Sequence, residues 1–146
     1  MRRAAVALAA LALGAALALP AAAAAIPIRN LRAESDVGDY SPGAALIAVI
    51  SADVFSPPRA EGCGARVTFA IRDPARHGRR VRGETRRINV CRHSDGGGLS
   101  HGSAFAIFDV TRLRHHRYRI TVRATQRVAG EPSTHSRSIA RVLGRR

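Results

Sequence analysis

The sequence predicts an all-β sandwich of about seven short strands, carried by residues 26–146 as a single domain. Three observations point there. Residues 117–124 alternate strictly: Tyr118, Ile120, Val122 and Ala124 are apolar, while Arg117, Arg119, Thr121 and Arg123 are polar. That two-residue period belongs to a strand with one face buried. Residues 44–50 are seven consecutive apolar residues, enough for a strand buried on both faces and short for a helix. Turn-forming residues recur between such stretches, and no long segment carries helical spacing. A chain of 146 residues also leaves no room for a multidomain enzyme.

The elements follow in order. Arg2 and Arg3 precede residues 4–19, which lack any polar side chain, then Pro20 and the alanines of residues 21–25. A positive start, an apolar stretch and A-x-A registers describe a secretory signal peptide over residues 1–25. As an anchor the segment is poor, being mostly alanine and broken by Pro20. No later stretch reaches membrane-spanning length, so a secreted or cell-envelope protein without a membrane span is expected.

Residues 28–33 read as a short first strand and 34–43, with Pro42 and two glycines, as a loop. After the 44–50 strand, residues 56–64 form a second loop carrying Cys63. Val67, Phe69 and Ile71 alternate with Thr68, Ala70 and Arg72 as a half-buried strand, and Asp73-Pro74 with Gly78 marks a turn. Residues 79–91 read as one or two short strands around Gly83, with Val81, Ile88 and Val90 as apolar members. Residues 92–103 are polar and glycine-rich, hence a loop, and 104–110 a strand. Residues 130–133 are expected to turn the chain from the Tyr118 strand into a last strand over 137–143.

Cys63 and Cys91 are the only cysteines. In an exported chain they are expected to pair, because the compartment is oxidising. Closing a loop of 28 residues contributes about 3.5 kcal/mol on the chain-entropy model. A zinc site would need more ligands than the fragment Cys91-x-His93 offers.

All 24 basic residues are arginine, against 10 acids, for a formal charge of +14 that signal cleavage lowers to +12. The excess clusters in residues 76–92 and 112–127. Such a balance attracts anionic polymers or surfaces.

The stretch Phe108-x-Val110-x-x-Leu113, followed by Tyr118-x-Ile120-x-Val122-x-Ala124, resembles the E–F corner of a fibronectin type III domain. Residues 124–133 are similar to that family's F–G loop, and Pro27-x-x-x-Leu31 to its opening strand. The chain departs from the family in having no tryptophan and in its cysteine pair. The resemblance implies an immunoglobulin-like sandwich in which the Tyr118 hydroxyl bonds backbone near Leu113. It also implies that the Val67, 79–82, Tyr118 and final strands share one sheet. Arg66, Arg72, Arg117, Arg119 and Arg123 would then face outward as anion-binding candidates, with Arg80, Arg82, Arg137 and Arg141 expected beside them. The alternative role for these arginines is to solvate the sheet and discourage edge pairing.

Residue patterns that carry chemistry are few. His93, Asp95 and His101 flank Gly96-Gly97-Gly98, and His115-His116 precede Tyr118, but no metal-ligand spacing is present. Ser100, His101 and Asp95 lack a nucleophile elbow. Few aromatics remain for base stacking, so specific nucleic-acid recognition is not expected. The expectation is a non-enzymatic binding or adhesion-type module without cofactor or metal, its partner an anionic polymer or envelope component. The alternative is a small exported metal protein or enzyme using the His93–His101 loop.

Overall fold

The computed structural model describes residues 26–38, 45–94 and 98–144. The expected signal peptide, residues 1–25, lies outside them. Among the described residues eight strands run in chain order: β1 Ile28–Gly38, β2 Ala45–Phe55, β3 Gly64–Asp73, β4 Arg79–Asn89, β5 His93–Ser94, β6 Ser100–Asp109, β7 His116–Val128 and β8 Glu131–Leu143. A single 3-10 turn, Pro74–Arg76, joins β3 to β4. It starts where Asp73 caps Ala75 N through its carboxylate at 2.9 Å. No helix among the described residues is long and apolar enough to cross a membrane.

The strands form two antiparallel sheets, ordered β1-β2-β6-β5 and β4-β3-β7-β8. One apolar core draws on both: Ile50, Val54 and Phe108 from the first sheet, and Val67, Phe69, Ile71, Tyr118, Ile120 and Val122 from the second. Two sheets sharing one core are compatible with a β-sandwich. Arginines close the margins. Arg137 on β8 donates to the Ile28 carbonyl of β1 at 2.9 Å, and Arg82 on β4 donates to the Asp109 carbonyl of β6 at 3.1 Å. Arg86 of β4 lies over the Phe105 ring of β6, 5.1 Å from its centroid.

Several boundaries differ from the sequence reading, each for a physical reason. The first strand does not stop at residue 33. Glu34 and Ser35 continue the ladder opposite Val49 and Ala48, because backbone pairing at an edge needs no apolar side chain. The 44–50 run is not buried on both faces: Ala48 and Ile50 are buried, as are Ala52 and Val54 beyond it, but Ile47 and Val49 are only half-buried. Their neighbours on β6, Phe105 and Ile107, are about half exposed. Residues 92–103 are not all loop, since His93 and Ser94 pair with His101 and Ser100 as β6 begins. Residues 79–89 form one strand, with a bulge opposite Ile71 and Arg72 absorbing the irregularity.

The expected turn over residues 130–133 falls earlier. Ala129 and Gly130 both take positive φ, 50° and 87°, so two residues complete the hairpin and Val128 already faces Glu131. Such a turn matches the twist of the flanking strands. Pro132 is tolerated because β8 is an edge strand.

Cys63 and Cys91 form a disulfide with Cα atoms 5.3 Å apart. It lies just beyond the Gly64–Asn89 end of the β3/β4 ladder, beside the bond from Val90 N to the Cys63 carbonyl. The pairing suggests an oxidising, extracytoplasmic environment.

Gly102 marks a close approach: a Cβ there would collide with the Asn89 carbonyl and crowd Val90. Gly64 has open space around it. Gly102→Ala is therefore expected to destabilise the fold by more than about 2 kcal/mol in denaturant unfolding, with Gly64→Ala within about 0.5 kcal/mol. Equal effects would contradict the packing of β6 against the β4–β5 connection.

Candidate anion-binding face

The outer surface of the β4-β3-β7-β8 sheet follows from strand parity. In β7, Tyr118, Ile120, Val122, Ala124 and Gln126 are buried, while Arg117, Arg119, Arg123 and Arg127 are exposed. In β3, Ala65, Val67, Phe69 and Ile71 are buried, while Arg66 and Arg72 are exposed. All five anion-binding candidates thus project from one side of one sheet. Arg72 stands opposite both Arg80 on β4 and Arg119 on β7, so three guanidinium stems line up across three strands. Arg66 stands opposite Arg87.

Of the expected companions, Arg80 lies on this face and three do not. Arg137 and Arg141 stand opposite Val122 and Tyr118, and Arg82 stands opposite Ile71, so all three share the core-side parity. Ile139 packs against the core, and Arg137 and Arg141 lie two residues to either side, hence on its face. Arg82 is displaced by the bulge, which no sequence period announces. Arg87, not singled out from the sequence, belongs to the array through its register with Arg66.

Between the arginines run hydroxyl pairs: Thr68 with Thr85 at 3.0 Å, Thr121 with Ser138 at 2.8 Å, and Thr125 with Thr134 at 2.9 Å. The residues sharing this parity on the four strands include no carboxylate. Glu61, in the loop before β3, reaches Arg127 at 3.7 Å and accepts from Gly130 N. None of the described ion pairs involves Arg66, Arg72, Arg80, Arg87, Arg117, Arg119 or Arg123. Two like charges at 4 Å repel by about 1 kcal/mol in water. An unneutralised row such as Arg80–Arg72–Arg119 therefore opposes the folding that assembles it, and an anion would relieve it. At one end of the face, Arg66, Arg87, Thr125, Arg127 and Pro132 help line a shallow hollow of about 420 Å³.

The acids lie elsewhere. On the other sheet, burial pushes the Asp53 carboxyl up, but hydrogen bonds from Asn30 and Ser103, with the His101 and Arg32 charges, hold it below the usual value. Asp109 is likewise held down, chiefly by the backbone N–H of Thr111 and then its hydroxyl.

The corner before β7 is built on one carbonyl. Arg114 O accepts from the Tyr118 hydroxyl at 3.0 Å and from His116 N at 3.0 Å. Leu113 packs against the core one residue earlier. His116 stacks on the Tyr118 ring at 4.1 Å and reaches Asp73 at 3.4 Å.

His93 and His101 face each other across β5 and β6, with ring centroids 5.4 Å apart, and His101 stacks on Phe55 at 4.9 Å. Asp95 lies outside the described residues, among which no group of three or more metal-ligating side chains gathers.

Comparison with protein-family models and with curated proteins finds no match for the chain.

Burial is the main cause that raises the Tyr118 phenol above its ordinary value of 10, and the Asp73 charge adds to it. The folded state then holds the phenolic proton more tightly than the unfolded chain. Its contribution is complete below pH 10 and is lost as pH rises above that. Tyr118→Phe is expected to cost about 1 kcal/mol at pH 7, from the lost bond to Arg114, and to flatten the decline above about pH 10. Equal stability at pH 7 with an unchanged alkaline limb would contradict this corner.

Proposed function

We propose that this chain is a secreted, non-enzymatic β-sandwich module that binds an anionic polymer or envelope component on the outer face of the β4-β3-β7-β8 sheet. One observation carries the reading: seven arginines without a described ion pair converge on a carboxylate-free sheet face. Solvating a sheet needs polar side chains, but it does not need them all to carry one sign. Interspersed charges solvate equally well without the repulsion.

The finer fold assignment is fibronectin type III-like. It is supported by the sheet shared by β3, β4, β7 and β8, by the opposing β1-β2-β6 order, and by the Tyr118–Arg114 bond at the corner. Export through the leader at residues 1–25 fits the disulfide. The arginines stand on a hydrogen-bonded sheet, so binding would order side chains and not the backbone that carries them, which suits adhesion.

The test is binding to a panel of anionic polymers across a salt series, beside an Arg117/Arg119/Arg123→Gln variant. Affinity is expected to fall steeply with salt, and the variant to lower the slope by roughly one to three neutralised charges. Binding indifferent to both salt and substitution would contradict the basic face as the docking surface.

A further inference from the structure

The arginines on this face are not spread evenly. One group, Arg72, Arg80 and Arg119, stands in register across β4, β3 and β7, with Arg117 two residues along. A second, Arg66 and Arg87, adjoins the hollow at the other end with Arg127. Arg66 and Arg72 are six positions apart on β3, which at about 3.3 Å each places the groups roughly 20 Å apart along the strands. Between them β3 and β4 carry the short side chains Thr68 opposite Thr85, then Ala70, which is buried, opposite Gly83, over which the Arg80 side chain lies. The open floor is therefore the Thr68–Thr85 step, flanked by Arg123 from β7.

We infer that the ligand is a linear acidic polysaccharide lying parallel to β3 and β4 and long enough to bridge both arginine groups. The inference rests on the basic face being the binding surface. A chain crossing the strands would meet one group only; a chain along them meets both, with Arg123 at its flank. Arginine matches carboxylate and phosphate geometry alike with two parallel donors, so the arginines fix the sign of the ligand and the floor its class. The floor selects among polyanions. In the Thr68–Thr85 pair one O–H donates to the other oxygen. The second O–H of that pair remains for a hydroxylated ligand. The parity places no aromatic side chain on the outer face of β3, β4, β7 or β8, so nucleobases have no stacking platform there.

The experiment is a calorimetric titration of the disulfide-intact protein with oligogalacturonates of increasing length, with oligothymidylates of matching span in parallel. Oligomers that reach both groups are expected to bind at least about tenfold tighter than dimers, through the raised effective concentration of the second group. Arg66→Gln with Arg87→Gln should abolish that step while leaving dimer affinity within about twofold. Thr68→Val with Thr85→Val, which keeps β-branched side chains at both positions, should weaken the long uronates about fivefold and leave oligothymidylate binding unchanged. Salt-sensitive binding that rises smoothly with length, with no step removed by the Arg66/Arg87 change, overturns the bridging geometry. A Thr68/Thr85 variant that binds long uronates like the parent overturns the polysaccharide assignment. Absence of salt-sensitive binding to any of these anions overturns the basic-face reading itself, and the inference with it.

Discussion

The two-residue period of β7 is the constraint on which this molecule is organised. β7 is interior to its sheet, between β3 and β8. Its even-numbered residues from Tyr118 to Gln126 are buried, which leaves Arg117, Arg119, Arg123 and Arg127 no direction but outward. The same alternation fixes register. Sliding β7 by one residue would turn those arginines into the core, where each unpaired charge costs several kcal/mol. Charge that contributes nothing to cohesion thus specifies how the strand sits. β3 follows through its pairing, so Arg72 meets Arg119 and the basic surface becomes continuous across strands.

Arginine serves a second purpose at the sandwich margins. Arg137, Arg82 and Arg86 come from the core side of the same sheet, yet none is buried. Their stems run along the rims and their heads end on the Ile28 carbonyl, the Asp109 carbonyl and the Phe105 ring. A long side chain with a polar tip suits this, covering apolar surface while keeping its charge in water. The acids are sorted as well. Asp73 is buried beside the corner, Glu84 pairs with Arg86 at 2.5 Å, and Asp53 is held by Asn30 and Ser103 on the other sheet. Local partners take up these carboxylates, and the outer face of β4-β3-β7-β8 keeps its single sign.

The sequence makes legible whatever strand parity controls. The alternation around Val67 and Tyr118 places both central strands and the outward direction of Arg66, Arg72, Arg117, Arg119 and Arg123. Parity fails where pairing is irregular: a bulge opposite Ile71 and Arg72 sends Arg82 to the core side although Arg80 stays outside. It also fails where hydrogen bonding alone decides, as in Glu34 and Ser35, which join β1 without burying a side chain. Arg87 could not be found from its own strand, because its place depends on facing Arg66 across the ladder. The hydroxyl rows are long-range features of the same kind, since Thr68 and Thr85 are 17 positions apart.

The most direct measurement of the central claim is a map of which residues respond to an acidic polymer, read from backbone amide and arginine side-chain N–H resonances during titration. Perturbations confined to β3, β4 and β7, strongest at Arg66, Arg72, Arg87, Arg119 and Arg123, are the predicted result. Perturbations centred instead on the β1-β2-β6-β5 sheet or on the segment from His93 to Ser100 would contradict it.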